Sequence, residues 1–183
     1  MKHRLELFSD AVLAIVITIM VLDLKTPVEG GWHGFLPILP TVAIYAAGFL
    51  QVAVLWAFHH NFFAKAERIT RPMLWANFAF LFFVSLLPLL IRSIGEHPKA
   101  PAETAAFIGL GWVTNLCLTL FRMATKSQHA GDDDHMAWQR RRNRSTFLIG
   151  VPLAAVMVSV TYLSPVVGLA LYAATMIWAL AVL

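Results

Sequence analysis

The sequence is short of the residues that cross-link or solvate a chain. One cysteine, Cys117, stands among 183 residues. That excludes an intrachain disulfide and a cysteine-built metal centre, and in its apolar run Cys117 reads as a packing residue. Charged residues make up only 13% of the chain and apolar ones 59%, with a mean hydropathy of +0.71. So little charge excludes an ordinary soluble domain and points to an integral membrane protein. Only one sizeable polar region is present. That region, residues 123–146, is too short to bury a catalytic core, which argues against an enzyme. The net charge of +4 does not suggest nucleic acid, because the basic residues flank apolar runs, where they act as topology signals.

What is there is apolar and continuous. A hydrocarbon core of about 30 Å needs roughly 20 helical residues. Six runs approach that length, at about 5–24, 34–57, 73–92, 102–122, 147–163 and 166–183. Glycine, proline and charge fill the breaks, and "LSP" makes the last pair a tight hairpin. Alternating ten-residue segments are missing, which excludes a transmembrane barrel. The chain therefore reads as all-α, a single six-helix transmembrane domain. The first run has no small-residue cleavage site after a short apolar core, so it reads as a retained helix and not a signal peptide.

With the N-terminus inside, eleven of the fourteen Lys and Arg residues fall on the inner side and only Lys25, Arg92 and Lys99 outside. This predicts cytoplasmic N- and C-termini and a cytoplasmic loop at 123–146. The "GDDDH" run in that loop reads as a solvated turn, so no metal site is assigned. Trp32 and His33 read as interfacial anchors, and "RRRNR" as a topology anchor touching anionic membrane lipid.

The first run, "RLELFSDAVLAIVITIMVLDL", holds Ser9 and Asp10 within an apolar helix. A carboxylate in hydrocarbon costs at least about 2.5 kcal/mol, so Asp10 needs partners on the bundle side. The expected topology brings Trp56, His59, His60, Asn77 and Asn115 to its depth, about 8 Å into the membrane at 1.5 Å per residue. Such a layer is either a static hydrogen-bond clamp or a proton relay. His59 and His60 are neighbours, so only one of them can point at Asp10. At 100° per residue, Ile15, Thr18, Ile19 and Leu22 form one stripe. Asp10, Ala14, Ile17 and Val21 form another, about 140° away. Periodicity leaves open whether the first stripe faces lipid, with Thr18 bonding back to a carbonyl.

The residues Arg4, Phe8, Ser9 and Asp10 in "RLELFSD" match the RxxxFSD signature of the bacterial members of the transmembrane protein 175 family of potassium channels. "LWAFHHNFF" resembles the end of that family's second helix and "LWANFAFLFFVSLLPLL" its third. The likeness is rich in motifs over residues 4–92 and is a match of hydropathy beyond. It implies a homotetramer, since the signature occurs once, in a prokaryotic plasma membrane. Helix one would line a central pore, Ile15 forming the narrow constriction and Thr18, Ile19 and Leu22 the adjoining wall. It also implies that Arg4, Phe8, Ser9 and Asp10, with Trp56 and a neighbouring histidine, form an interhelical bonding network. No TVGYG-type filter is present, so an apolar ring would gate by dewetting and prefer potassium, the less strongly hydrated ion, over sodium. The expected function is a passive potassium-preferring cation channel, with monovalent cations as permeants and no cofactor. Two other readings stand beside it. One is a proton-coupled transporter using Asp10 and His59 or His60, although the paired inverted halves and broken helices of such proteins are not evident. The other is a structural subunit without transport activity.

Overall fold

The computed structural model describes residues 1–22, 24, 31–125, 137, 140–141 and 143–181. The "GDDDH" turn, the Trp32 side chain and three of the topology-setting cations, Lys25, Lys126 and Arg142, lie outside the described residues. The regular elements are helical. Helix α1 is Lys2–Leu22, α2 the short Trp32–Phe35, α3 Leu39–Lys65, α4 Arg71–Val84, α5 Leu87–Glu96, α6 Pro101–Ala124, α7 Val151–Thr161 and α8 Pro165–Ala181.

Five helical segments are long and apolar enough to cross a membrane: Lys2–Leu22, His33–Lys65, Arg71–Glu96, Pro101–Ala124 and Asn143–Thr161. Pro165–Ala181, the last apolar helix, is shorter at 17 residues. Prolines punctuate the scheme. Pro72, Pro101 and Pro165 sit at helix starts, where their missing N–H costs no intrahelical bond. Pro88 acts differently. It cannot donate to the carbonyl of Val84, and the third run, expected as one span over 73–92, is one apolar segment, Arg71–Glu96, with a turn at Ser85–Leu86 between α4 and α5. The Ser85 hydroxyl donates to the Phe82 carbonyl at 2.7 Å within that turn. Pro152 has a similar effect, and the turn before it, Thr146–Gly150, widens to a π-helix.

The second run, expected to end near residue 57, stays helical through His59 and His60 to Lys65. There the backbone turns extended at Ala66.

The core lies between α1, α3, α4, α5 and α6. Met20, Val52, Phe63, Phe80, Leu87, Phe107 and Ile108 are fully enclosed. In a membrane this packing is held by close van der Waals fit, not by expulsion of water. Gly48 shows how close that fit is, since a Cβ there would lie 2.7 Å from Ile91 Cδ1 and 3.2 Å from Met20 Sδ. Helices α7 and α8 sit at the edge. On α7 only Met157 and Thr161 are buried, and on α8 only Gly168 and Tyr172. Large apolar residues such as Trp75, Phe82 and Trp178 are exposed, as expected of a protein whose solvent is lipid.

Candidate functional site: the two faces of helix α1

Helix α1 turns Leu5, Ser9, Leu13, Val16 and Met20 into the bundle. Asp10, expected to meet partners on the bundle side, lies on the flank of that face and is partly buried. The inward position is one residue earlier, at Ser9, whose hydroxyl is far cheaper to enclose than a carboxylate.

Ser9 is 0% exposed and ends a directed chain of hydrogen bonds. His59 Nε2 lies 2.8 Å from Asn77 Oδ1, an acceptor, so the imidazole donates. Asn77 Nδ2 donates to Ser9 Oγ at 3.0 Å, and Ser9 Oγ donates to the Leu5 carbonyl at 2.8 Å. The Ser9 hydroxyl also lies 3.3 Å from Asn77 Oδ1, a second and longer acceptor for its proton. The other ring nitrogen, His59 Nδ1, is buried with no hydrogen-bond partner. Aromatic rings surround the imidazole, with Phe63 at 4.4 Å and a stacked Phe80 at 5.3 Å between centroids. Three helices, α1, α3 and α4, are tied together here.

Asp10 belongs to a second, more open set. Trp56 Nε1 donates to Asp10 Oδ1 at 3.0 Å. The Trp56 ring stacks on His60 at 5.6 Å, and His60 Nδ1 faces Glu6 Oε1 at 3.8 Å. The single layer expected at this depth is therefore two. His59 serves the Ser9–Asn77 set and His60 the Glu6–Trp56 set, and neither makes a hydrogen bond to Asp10. The cause is the 100° between successive helical residues, which sends the two imidazoles to different neighbours. Asn115 is not part of either set. It lines a cavity beside α7 and α8. Glu6 was not anticipated, although its position one turn before Asp10 on α1 was a legible signal.

Arg4 and Phe8 are both exposed, on the side of α1 away from these contacts, so within this chain they do not join the network expected of them. Their positions are nonetheless regular. Arg4, Phe8, Ala11, Ile15, Thr18 and Leu22 are all exposed and follow one another at alternating steps of four and three, the spacing of a seam where helices meet. Ile15 is 55% exposed and Leu22 80%. The Thr18 hydroxyl donates to the Ile15 carbonyl at 2.9 Å. Beside this stripe Ile19 is exposed as well. Among the described residues no three His, Cys, Asp or Glu side chains are grouped to hold a metal.

The model of the family described as endosomal/lysosomal potassium channel TMEM175 matches residues 4–88, the stretch that contains both faces of α1 and their partners. A protein of Streptomyces collinus named as a potassium channel is 30% identical over 156 residues, covering 80% of this chain and 76% of its own length. The chain belongs to the TMEM175 family. A Chryseobacterium protein, also named as a potassium channel, is 42% identical over 112 residues, 61% of this chain, and the match spans 58% of that relative's length. Vertebrate members carry the name endosomal/lysosomal proton channel; the Bos taurus protein is 30% identical over 67% of this chain and 28% of its own length. The fold agrees over nearly the whole chain. The crystal structure of a lysosomal potassium-selective channel TMEM175 homologue from Chamaesiphon minutus superposes with a TM-score of 0.82 at 22% identity, covering 98% of this chain and 96% of that one. With its long apolar helices, this TMEM175 family member is a multi-pass membrane protein.

Proposed function

We propose that the chain is one subunit of a homotetrameric, potassium-preferring cation channel in a prokaryotic plasma membrane, with α1 from each subunit lining the pore. The observation that carries this reading is the exposed stripe of α1. A helix whose opposite face is anchored in the bundle presents Phe8, Ala11, Ile15, Thr18 and Leu22 at seam spacing to a surface unoccupied within the chain. The names of the bacterial relatives point the same way.

The expected topology has six spans, with Pro165–Ala181 as the last and both termini cytoplasmic, following the distribution of Lys and Arg. Four isoleucines at position 15 form the narrowest ring, and Ile19 and Leu22 continue the wall. Such a ring conducts when wetted and closes by dewetting. It offers no carbonyls to replace a hydration shell, so it disfavours sodium more than potassium without strictly excluding it. The Ser9–Asn77–His59 chain holds α1 in register, and Asp10 with Trp56 steadies its flank. A proton-coupled transporter built on Asp10 and a histidine is less well supported, because Asp10 is bonded to Trp56 while His59 pairs with Asn77 and His60 with Glu6.

The test is ion flux through purified protein in liposomes, compared for potassium, sodium and protons. Ile15→Asn is expected to raise sodium permeation relative to potassium by wetting the ring. Unchanged ion preference would remove Ile15 from the narrow point. Proton flux exceeding potassium flux would align the chain with its vertebrate relatives.

A further inference from the structure

A second unusual feature lies inside the subunit, apart from the stripe of α1. A cavity of about 280 Å³ runs between α3, α6, α7 and α8. Its wall extends along α3 from Gln51 to Phe62 and along α6 from Gly111 to Arg122, about 16 Å on each helix at 1.5 Å per residue. The space is thus long and narrow. Its body is hydrocarbon, formed by Val54, Leu55, Phe58, Leu118, Ile149 and Leu153.

Two residues of its wall carry buried hydrogen-bonding groups without partners. Gln51 is 0% exposed, and neither its Oε1 nor its Nε2 has a hydrogen-bond partner. Trp112 Nε1, on a residue that also lines the cavity, is a second buried donor with none. At the Gln51 end Gly111 leaves room for the Tyr172 hydroxyl, with which a Cβ would collide, and such a Cβ would also come within 2.8 Å of Gln51 Nε2. A primary amide left unbonded halfway along a membrane-spanning helix is costly, and filling the cavity with a matching ligand removes that cost.

The Gln51 amide, the Trp112 N–H and the neighbouring Tyr172 hydroxyl carry no formal charge, and the one cation of the wall, Arg122, lies a helix length away at the other end, where it donates to Asn143 Oδ1. Together they define a ligand chemistry. We propose that this cavity binds an uncharged single-chain amphiphile, a hydrocarbon chain ending in a hydroxyl or primary amide. The head donates to Gln51 Oε1 and accepts from Gln51 Nε2 or Trp112 Nε1. The chain lies along Val54, Phe58, Leu118 and Leu153. The volume stands near the lower end of the range for small-molecule sites, about 300 Å³, and such sites share this design of apolar walls with a few polar groups. Water also satisfies an amide, but it leaves the apolar body unused.

The site is read by binding and needs no ion flux, so its fate is separate from that of the proposed channel. Protein in liposomes is irradiated with octanol bearing a diazirine at mid-chain, and adducts are mapped by mass spectrometry. Adducts are expected within residues 54–62 and 112–118, competed away by excess plain octanol. Gln51→Leu should reduce them about fivefold, the effect of one lost hydrogen bond. Leu153→Trp, which fills the slot from α7 and leaves the amide in place, should abolish them. Adducts confined to the outer surface overturn the proposal, and so does labelling that Gln51→Leu leaves unchanged, which would mean that the amide holds only water. If Gln51→Leu does not yield folded protein, Leu153→Trp decides: unaltered labelling overturns the proposal and lost labelling supports it.

Discussion

Ser9 and Asp10 are consecutive on one helix, yet they enter two unlike neighbourhoods. Ser9 is enclosed, and it shares with Asn77 and His59 a chain of bonds at 2.8 to 3.0 Å. Asp10 stands at the flank with Trp56, which is 45% exposed, and beside them the Glu6–His60 pair is separated by 3.8 Å with the imidazole half open. The same helix therefore carries a rigid joint on one side and an adaptable contact a fraction of a turn away. Burial makes the difference. An unmade bond in the enclosed set has no water to replace it, whereas in the open set water or headgroups can substitute.

The contrast is sharpest at Asn77. Asn77→Leu removes both the acceptor for His59 and the donor to Ser9 and strands the His59 N–H in an aromatic pocket. A loss of about 2–4 kcal/mol in unfolding free energy is expected, measured by denaturant or thermal unfolding of the purified protein. A loss under about 1 kcal/mol would show that the enclosed set is no more rigid than the open one.

Asp10→Ala should cost less, about 0.5–1 kcal/mol, since only the Trp56 bond is lost and the site is partly open. Under the proposed assembly it should lower tetramer yield more than it changes ion preference. Normal tetramer yield with altered preference would place Asp10 on the ion path instead.

The smallest effect is expected at Glu6. Glu6→Gln should change stability by at most about 0.5 kcal/mol and lose even that at high salt, because an open pair at this separation is screened. A double-mutant cycle with His60→Gln measures it. A coupling above about 1 kcal/mol would mean that the pair is enclosed by a neighbouring subunit.

Much of this was legible along the chain. The apolar runs, the helix-starting prolines and the gathering of Trp56, His59, His60 and Asn77 near the level of Asp10 all follow from spacing and hydropathy. Three features were not. Pro88 was visible, but whether a proline kinks a span or splits it depends on how freed carbonyls are satisfied, here in a turn at Ser85. The division of labour between His59 and His60 depends on the rotational setting of α3, which neighbouring helices determine. Gln51 was a plain anomaly in an apolar run, but its significance arises only where α7 and α8 close around it without reaching its amide.

By itself the sequence determined the solvent, the family and the contents of α1: a membrane-spanning helix with the RLELFSD opening and an apolar stripe after it. Those properties depend on composition, length and order. The tertiary structure alone decided which face of that helix is inward. A helical pattern specifies the angles between residues but not the absolute rotation of the helix, and that rotation is set by the contacts Ser9 makes with Asn77 and those of Met20 near Gly48. Once it is set, Asp10 moves to the flank and Ile15 is left facing outward.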